Sequence, residues 1–342
     1  MKNSVDYAET AEVLGEKITA FVPKFQEYFW NEESGRFHLG YLPETDKGVK
    51  AGVLDTVVDY GFTTYNEEAI ELGLATEEQA ESIMAWINGE RTVEGDTADN
   101  SSRSKQIYFY QFAPRWNTKE NVYQFWFRFE GKRTGPYGWN KQVQNGGTAA
   151  HCAYYDMVAE NEVNGSDAAF TKLKNVQSWY ETVKEAGGTG LNFYRTYYLK
   201  NGIILQGGSS SAVLGLDYEF IEATLLYTTV PTVFFGLGST SYNCLNIAPQ
   251  LPSSLDYWKM ENLSFADLYY DLSIGDNWVQ INSVQGDTAG KTLCVTLDAP
   301  AGNFEVRQHN TILTEGTDYV VQNGQVVITV PFRNGRIQII EK

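Results

Sequence analysis

The sequence predicts a mainly α N-terminal part, residues 1–248, followed by an all-β C-terminal module, residues 249–342. Three observations carry this. Apolar residues recur at intervals of three and four through the first part. Beyond Pro249, short alternating runs bounded by Gly, Asn and Asp take over. Helices precede strands without βαβ alternation, which argues for two packed domains rather than one α/β fold. At 342 residues the chain is long enough for two domains and a large core.

The helical elements follow in order. Ala11, Leu14, Ile18, Phe21, Val22 and Phe25 mark a helix from Asp6 to about Trp30. The segment from Asn31 to Gly48 is rich in turn residues. A second helix is expected from near Asn66 to Gly73. A third runs from Thr76 to Asn88, with Thr76 as N-cap, acids in its first turn and Gly89 closing it. Residues 90–146 show weak periodicity and hold aromatic clusters at 108–116 and 123–129, as functional loops do. Asn145-Gly146-Gly147 leads into a helix through Glu160. An amphipathic helix from Ala168 to Glu185 carries Phe170, Leu173, Val176, Trp179, Tyr180 and Val183 on one face. A Gly-Ser turn near Gly207 opens further helices that end near Phe235.

Strands are expected at 266–274, 278–282, 292–298, 303–309, 319–322, 326–330 and 336–340, with Asn323-Gly324 as a two-residue hairpin turn. Together they predict an antiparallel β-sandwich.

Composition narrows the function. A net charge of −17 argues against nucleic acid or an anionic membrane as partner. A neutral ligand fits better, and 8 Trp, 22 Tyr and 18 Phe supply rings that can stack on sugars as well as fill cores. The 3 cysteines and 3 histidines show no metal-ligand spacing, so no metal and no cofactor are expected. No long apolar run or secretory leader appears, so the expectation is either a cytoplasmic chain or one whose true N-terminus lies elsewhere.

Gly-x-Ser-x-Gly, P-loop and dinucleotide-binding motifs are absent. What remains is carboxylates, amides and aromatics in glycine-punctuated loops. That inventory suits glycoside cleavage by two carboxylates, and it equally suits sugar binding without catalysis. Four segments stand out. Asp59 and Asn66 flank a helix start, where capping is the plain alternative. Glu94-Gly95-Asp96 follows a closed helix and could serve a turn. Gln144 and Asn145 open the helix that holds His151, and free N–H groups there suit a ligand oxygen. Asp217, Glu219 and Glu222 lie in an apolar helical run, where acids are costly unless hydrogen-bonded, paired or working. Arg115, Arg128 or Arg195 could pair with Glu219 and Glu222 instead.

The order of these segments resembles the catalytic part of α-L-rhamnosidase-like glycoside hydrolases. The likeness rests on Tyr28-Phe-Trp-Asn-Glu-Glu-Ser-Gly-Arg-Phe, Asp59-Tyr-Gly-Phe-Thr, Ala75-Thr-Glu-Glu-Gln-Ala and Trp86-Ile-Asn-Gly-Glu-Arg-Thr-Val-Glu94-Gly-Asp96-Thr. It continues through Gln111-Phe-Ala-Pro-Arg, Gln144-Asn-Gly-Gly, Gly215-Leu-Asp-Tyr-Glu219-Phe-Ile-Glu222 and Ile247-Ala-Pro-Gln-Leu-Pro-Ser. The resemblance implies a six-hairpin (α/α)6 toroid followed by a β-sandwich, and an inverting mechanism on a neutral glycoside. It puts Glu94 or Asp96 in the place of the acid and Glu219 in that of the base. Asp59, Trp139, Gln144, Asn145 and His151 would line the sugar pocket, with Asn66 and Glu222 as further substrate-binding candidates.

The helices before Pro249 are too few to close a full toroid, so the chain resembles the C-terminal part of such an enzyme. Three alternatives stay open: an active hydrolase, a non-catalytic carbohydrate-binding or structural remnant, and half of a split enzyme. A partial toroid leaves apolar faces that a partner fragment or a homo-oligomer would cover. A polysaccharide lyase shares the toroid but would need a cation for its uronate, and no basic cluster lies in the candidate loops.

Overall fold

A computed structural model describes residues 5–38, 40–41, 57–59, 61–91, 93, 153–185 and 225–342. The chain divides into two compact units. One comprises residues 1–163 and 171–226, the other residues 164–170 and 227–342.

In the helical unit, α1 (Val5–Phe29) leads into the short hairpin of β1 (Trp30–Asn31) and β2 (Arg36–Phe37). Asn31 builds its turn: the Oδ1 atom accepts from the backbone of Glu33 and Ser34, and the carbonyl accepts from Gly35 N–H at 2.7 Å. Gly35 has φ +59, and a Cβ there would sit 2.7 Å from Ser82 Oγ, so glycine is required. A second small ladder joins β3 (Gly40–Tyr41) to β4 (Val57–Val58).

Helix α2 (Thr63–Glu71) ends at Gly73 with φ +65, as the sequence predicts, and begins three residues earlier than expected. Helix α3 (Glu77–Ile87) has the predicted start. Thr76 Oγ1 accepts from Gln79 N–H at 3.2 Å and Gln79 Oε1 accepts from Thr76 N–H at 3.0 Å, a complete capping box. The core of this unit packs Phe25, Phe37, Ile70, Ile83, Met84, Trp86, Ile87 and Val93. The apolar stripe of α1 behaves differently along its length. Phe25 is buried, whereas Leu14, Ile18 and Phe21 are 50–60% exposed. Helices α4 (Ala153–Asn164) and α5 (Ser166–Glu185) complete the described helical elements before residue 225.

The second unit begins within α6 (Leu225–Thr229), which continues as a π-helical turn over Val230–Phe234. Eleven strands follow among the described residues: β5 (Leu237–Ser241), β6 (Cys244–Ile247), β7 (Trp258–Phe265), β8 (Leu268–Gly275), β9 (Trp278–Gln285), β10 (Thr292–Asp298), β11 (Phe304–Gln308), β12 (Thr311–Ile312), β13 (Tyr319–Gln322), β14 (Gln325–Pro331) and β15 (Gly335–Glu341). They form a five-stranded sheet, β13-β14-β10-β6-β5, and a six-stranded sheet, β12-β11-β15-β9-β8-β7.

Burial alternates along most strands, so each sheet has one inward face. Ile247, Leu293, Val295 and Ile328 from one sheet, and Leu272, Ile274, Val279, Ile281, Val306 and Ile337 from the other, are almost fully buried. The predicted turn at Asn323-Gly324 has φ +52 and +76, as a type I′ hairpin needs.

Besides β7 and β12, which lie outside the strands expected from the sequence, two features differ from the sequence reading. The sheet recruits β5 and β6, which precede the expected boundary at 249. The pairing of β6 with β10 is parallel, whereas every other strand pair in the module is antiparallel.

Candidate functional site

Two buried polar groups stand out in the helical unit. The first surrounds Asp59. Arg36, at 0% exposure, turns its Nε towards both Asp59 carboxylate oxygens at 2.9 and 3.1 Å, and its guanidinium lies 4.4 Å from the ring centre of Trp86. Asp59 Oδ1 also accepts from Gly61 N–H at 2.9 Å. The strand therefore carries a buried cation that a carboxylate and an aromatic face stabilise together.

Asn66 faces the same strand from the first turns of α2. Its Oδ1 accepts from Phe37 N–H at 2.7 Å, and its Nδ2 donates to the carbonyls of Phe37 and Phe62 at 3.2 and 2.9 Å. It thus behaves as an extra strand edge for β2, which has too few residues to find all its backbone partners in a ladder. Capping, the plain reading of Asp59 and Asn66, is not what they do: Phe62 holds the N-cap position of α2, without a side-chain cap. His38 lies beside this group. Burial pulls its imidazole below the usual value against the attraction of Asp59, so it is neutral at pH 7.

The Arg36–Asp59 pair yields a direct prediction. Asp59→Ala removes a buried carboxylate partner of this guanidinium and should cost up to about 3–5 kcal/mol. Urea unfolding measures it, and Arg36→Met combined with Asp59→Ala should recover much of the loss. A single-variant loss below about 1 kcal/mol would mean the pair is solvated.

The second group joins four helices. Lys172 of α5 forms an ion pair with Asp156, and its Nζ lies 2.9 Å from Glu160 Oε2; both acids belong to α4. Asn88, at the C-cap of α3, donates its Nδ2 to Glu160 at 2.9 Å. Glu67 of α2 sits beside them at 0% exposure, and among the described residues neither of its carboxylate oxygens has a hydrogen-bond partner. Burial and the nearby negative charge of Asp156 raise its carboxyl well above the usual range, outweighing the pull of Lys172, with Glu68 and Glu160 adding to the rise.

The Lys172 ammonium is likewise shifted upward. Burial pulls it down, but Asp156 and Glu160 outweigh that. A proton held on Glu67 gives the cluster one fewer negative charge, as neighbouring buried acids require. Among the described residues, no group of His, Cys, Asp and Glu side chains is arranged to hold a metal.

Sequence reasoning did not single out Glu67, Asp156, Glu160 or Lys172. The available signal was slight: Asp156 and Glu160 are four apart and share a helix face, as surface acids also do. Glu94, Asp96, Trp139, Gln144, Asn145, His151, Glu219 and Glu222 lie outside the described residues, as do Arg115, Arg128 and Arg195. Of the candidate site residues, the structure therefore describes Asp59 and Asn66, and it brings them together on β2.

No protein-family model matches the chain, and no curated protein matches it. Among solved structures, the α-L-rhamnosidase from Dictyoglumus thermophilum is similar at 12% identity and a TM-score of 0.43, over 99% of this chain and 29% of that one. A GH127 β-L-arabinofuranosidase from Geobacillus stearothermophilus T6 is similar at 8% identity and a TM-score of 0.29, over 81% of this chain and 40% of that one. The chain thus spans less than half the length of either. No described helix is long and apolar enough to cross a membrane.

Proposed function

We propose that the chain is a glycoside hydrolase that cleaves a neutral glycoside by inversion. Glu94 or Asp96 acts as the acid and Glu219 as the base that activates water. The observation that carries this reading is the order of rhamnosidase-like segments along nearly the whole sequence, from Tyr28 to the β-module. A net charge of −17 is consistent with a neutral sugar as substrate.

In such a mechanism the acid protonates the glycosidic oxygen while the base draws a proton from water on the opposite face. The two carboxyl groups then stand roughly 6.5–9.5 Å apart to admit that water. Trp139 supplies a stacking face, and Gln144, Asn145, His151 and Glu222 supply hydrogen bonds to hydroxyl groups. Asp59 and Asn66, already engaged with Arg36 and Phe37, support the pocket by holding β2 in place. The test is release of the aryl alcohol from a panel of aryl glycosides by the purified chain. Release from at least one member is expected, and no release from any member favours a non-catalytic sugar-binding remnant.

A second reading, in which a partner fragment or a second copy completes the helical part, is favoured by the exposed stripe of Leu14, Ile18 and Phe21 on α1. Light scattering separates a self-associating chain from one that needs a different partner. A mass above that of one chain supports the former. A monomer that hydrolyses aryl glycosides removes the need for either.

A further inference from the structure

The β-module holds a pair of thiols that sugar cleavage does not use. Cys244 opens β6, and Cys294 is the third residue of β10, in two adjacent parallel strands. Their register pairs Cys244 with Thr292 and Asn246 with Cys294. With a side-chain period of two, positions 244, 246, 292 and 294 share one face of the sheet, and the cysteines are diagonal neighbours on it. Their Sγ atoms lie 3.0 Å apart, about 1 Å beyond the length of a disulfide bond.

Both cysteines are half-buried and neither is in a disulfide. Among the described polar atoms near them, Asn246 Oδ1 is 3.7 Å from Cys244 Sγ, and Thr329 Oγ1 is 3.7 Å from Cys294 Sγ. Cys244 also follows directly on the tight turn between β5 and β6, where the pairing is irregular, so its backbone can adjust by the small amount a bond needs.

We propose that Cys244 and Cys294 form a reversible disulfide site, closed by thiol–disulfide exchange with a low-molecular-weight disulfide of the oxidised-glutathione class. One thiol, taken as Cys244, attacks first. Its proton passes to solvent and its sulfur displaces one small thiolate, which takes up a proton, leaving a mixed disulfide on Cys244. The Cys294 thiol then loses its proton, and its sulfur attacks the Cys244 sulfur and expels the second small thiol. Two protein thiols are oxidised and one small disulfide is reduced to two thiols, so no further reactant is needed.

The bond would fasten the β5–β6 hairpin to β10 and close a loop between positions 50 apart, which restricts the unfolded chain. Both cysteines are partly exposed, so small thiols can reach the bond and reduce it.

The test uses the full chain. It is incubated with graded ratios of oxidised to reduced glutathione, quenched in acid, alkylated and digested without reductant for mass mapping. The expected result is one linked peptide pair, Cys244 to Cys294, with Cys152 still alkylated as a thiol, full reversal by dithiothreitol and a higher Tm for the oxidised form. Cys152→Ser should give the same linkage. Cys244→Ser should leave Cys294 as a thiol or a simple glutathione adduct. The proposal is overturned if wild type retains both thiols at oxidising ratios, carries separate adducts on each, or links Cys152 to either one.

Discussion

Lys172→Met is expected to destabilise the helical unit by about 3–5 kcal/mol, the range for removing one partner of a buried ion pair. The lysine faces Asp156 and Glu160 from α5, while Glu67 of α2 completes the cluster. Without the ammonium, Asp156 and Glu160 lose this cation beside a third acid whose carboxyl is already raised. The cheapest response is uptake of protons, so the loss should shrink as pH falls towards the ordinary carboxyl range. Equilibrium unfolding of wild type and variant at several pH values measures this. A loss that is small and independent of pH would contradict the buried-pair description.

The sign for the wild type follows from the two shifts. Glu67 has a folded-state pKa above its ordinary value of 4.5, so the folded chain binds the extra proton. Its contribution is present below that value and is lost as pH rises through the folded pKa. Lys172 is also raised, from 10.5, so the stability of its pairs is complete below that value and disappears only as pH rises through the folded one. Glu67→Gln should remove the first of these losses and leave the second.

Glu219→Gln is expected to lower kcat about 10²–10⁴-fold, the usual contribution of a general base. The amide keeps the size of the side chain and can still hydrogen-bond a hydroxyl, but it cannot take a proton from water. KM should change little, since the proposed base acts on water rather than on the sugar ring. The drop should appear with every aryl leaving group. Loss of the acid behaves differently, because a good leaving group needs little protonation, so Glu94→Gln or Asp96→Asn would be mildest on the most acidic phenol. That contrast assigns the two roles. Equal turnover by wild type and Glu219→Gln would remove Glu219 from the mechanism.

Local chemistry was legible in the sequence where it closed within a few residues. The box between Thr76 and Gln79, the glycine ends of α2 and α3 and the turn at Asn323-Gly324 all formed as the local signals indicate. Strands β5 to β7 were less legible. β5 is Leu-Gly-Ser-Thr-Ser, with little of the β-branched and aromatic content of a strand. The alternation of β7 breaks at an irregularity between Met260 and Leu263, where Asn262 has φ +58.

The buried polar groups were hidden for another reason. Arg36 and Asp59 are 23 positions apart, Lys172 and Asp156 are 16 apart, and such pairings depend on packing rather than on spacing. The helical period of α1 was read correctly, yet period alone does not say what covers a stripe, and Leu14, Ile18 and Phe21 stay open.

The central claim, inverting hydrolysis by two carboxylates, is tested most directly by the anomeric form of the first sugar released. Proton NMR during the opening minutes of aryl glycoside hydrolysis reads it before mutarotation mixes the anomers. The account predicts that the first product has the configuration opposite to that of the substrate. Retained configuration would contradict it.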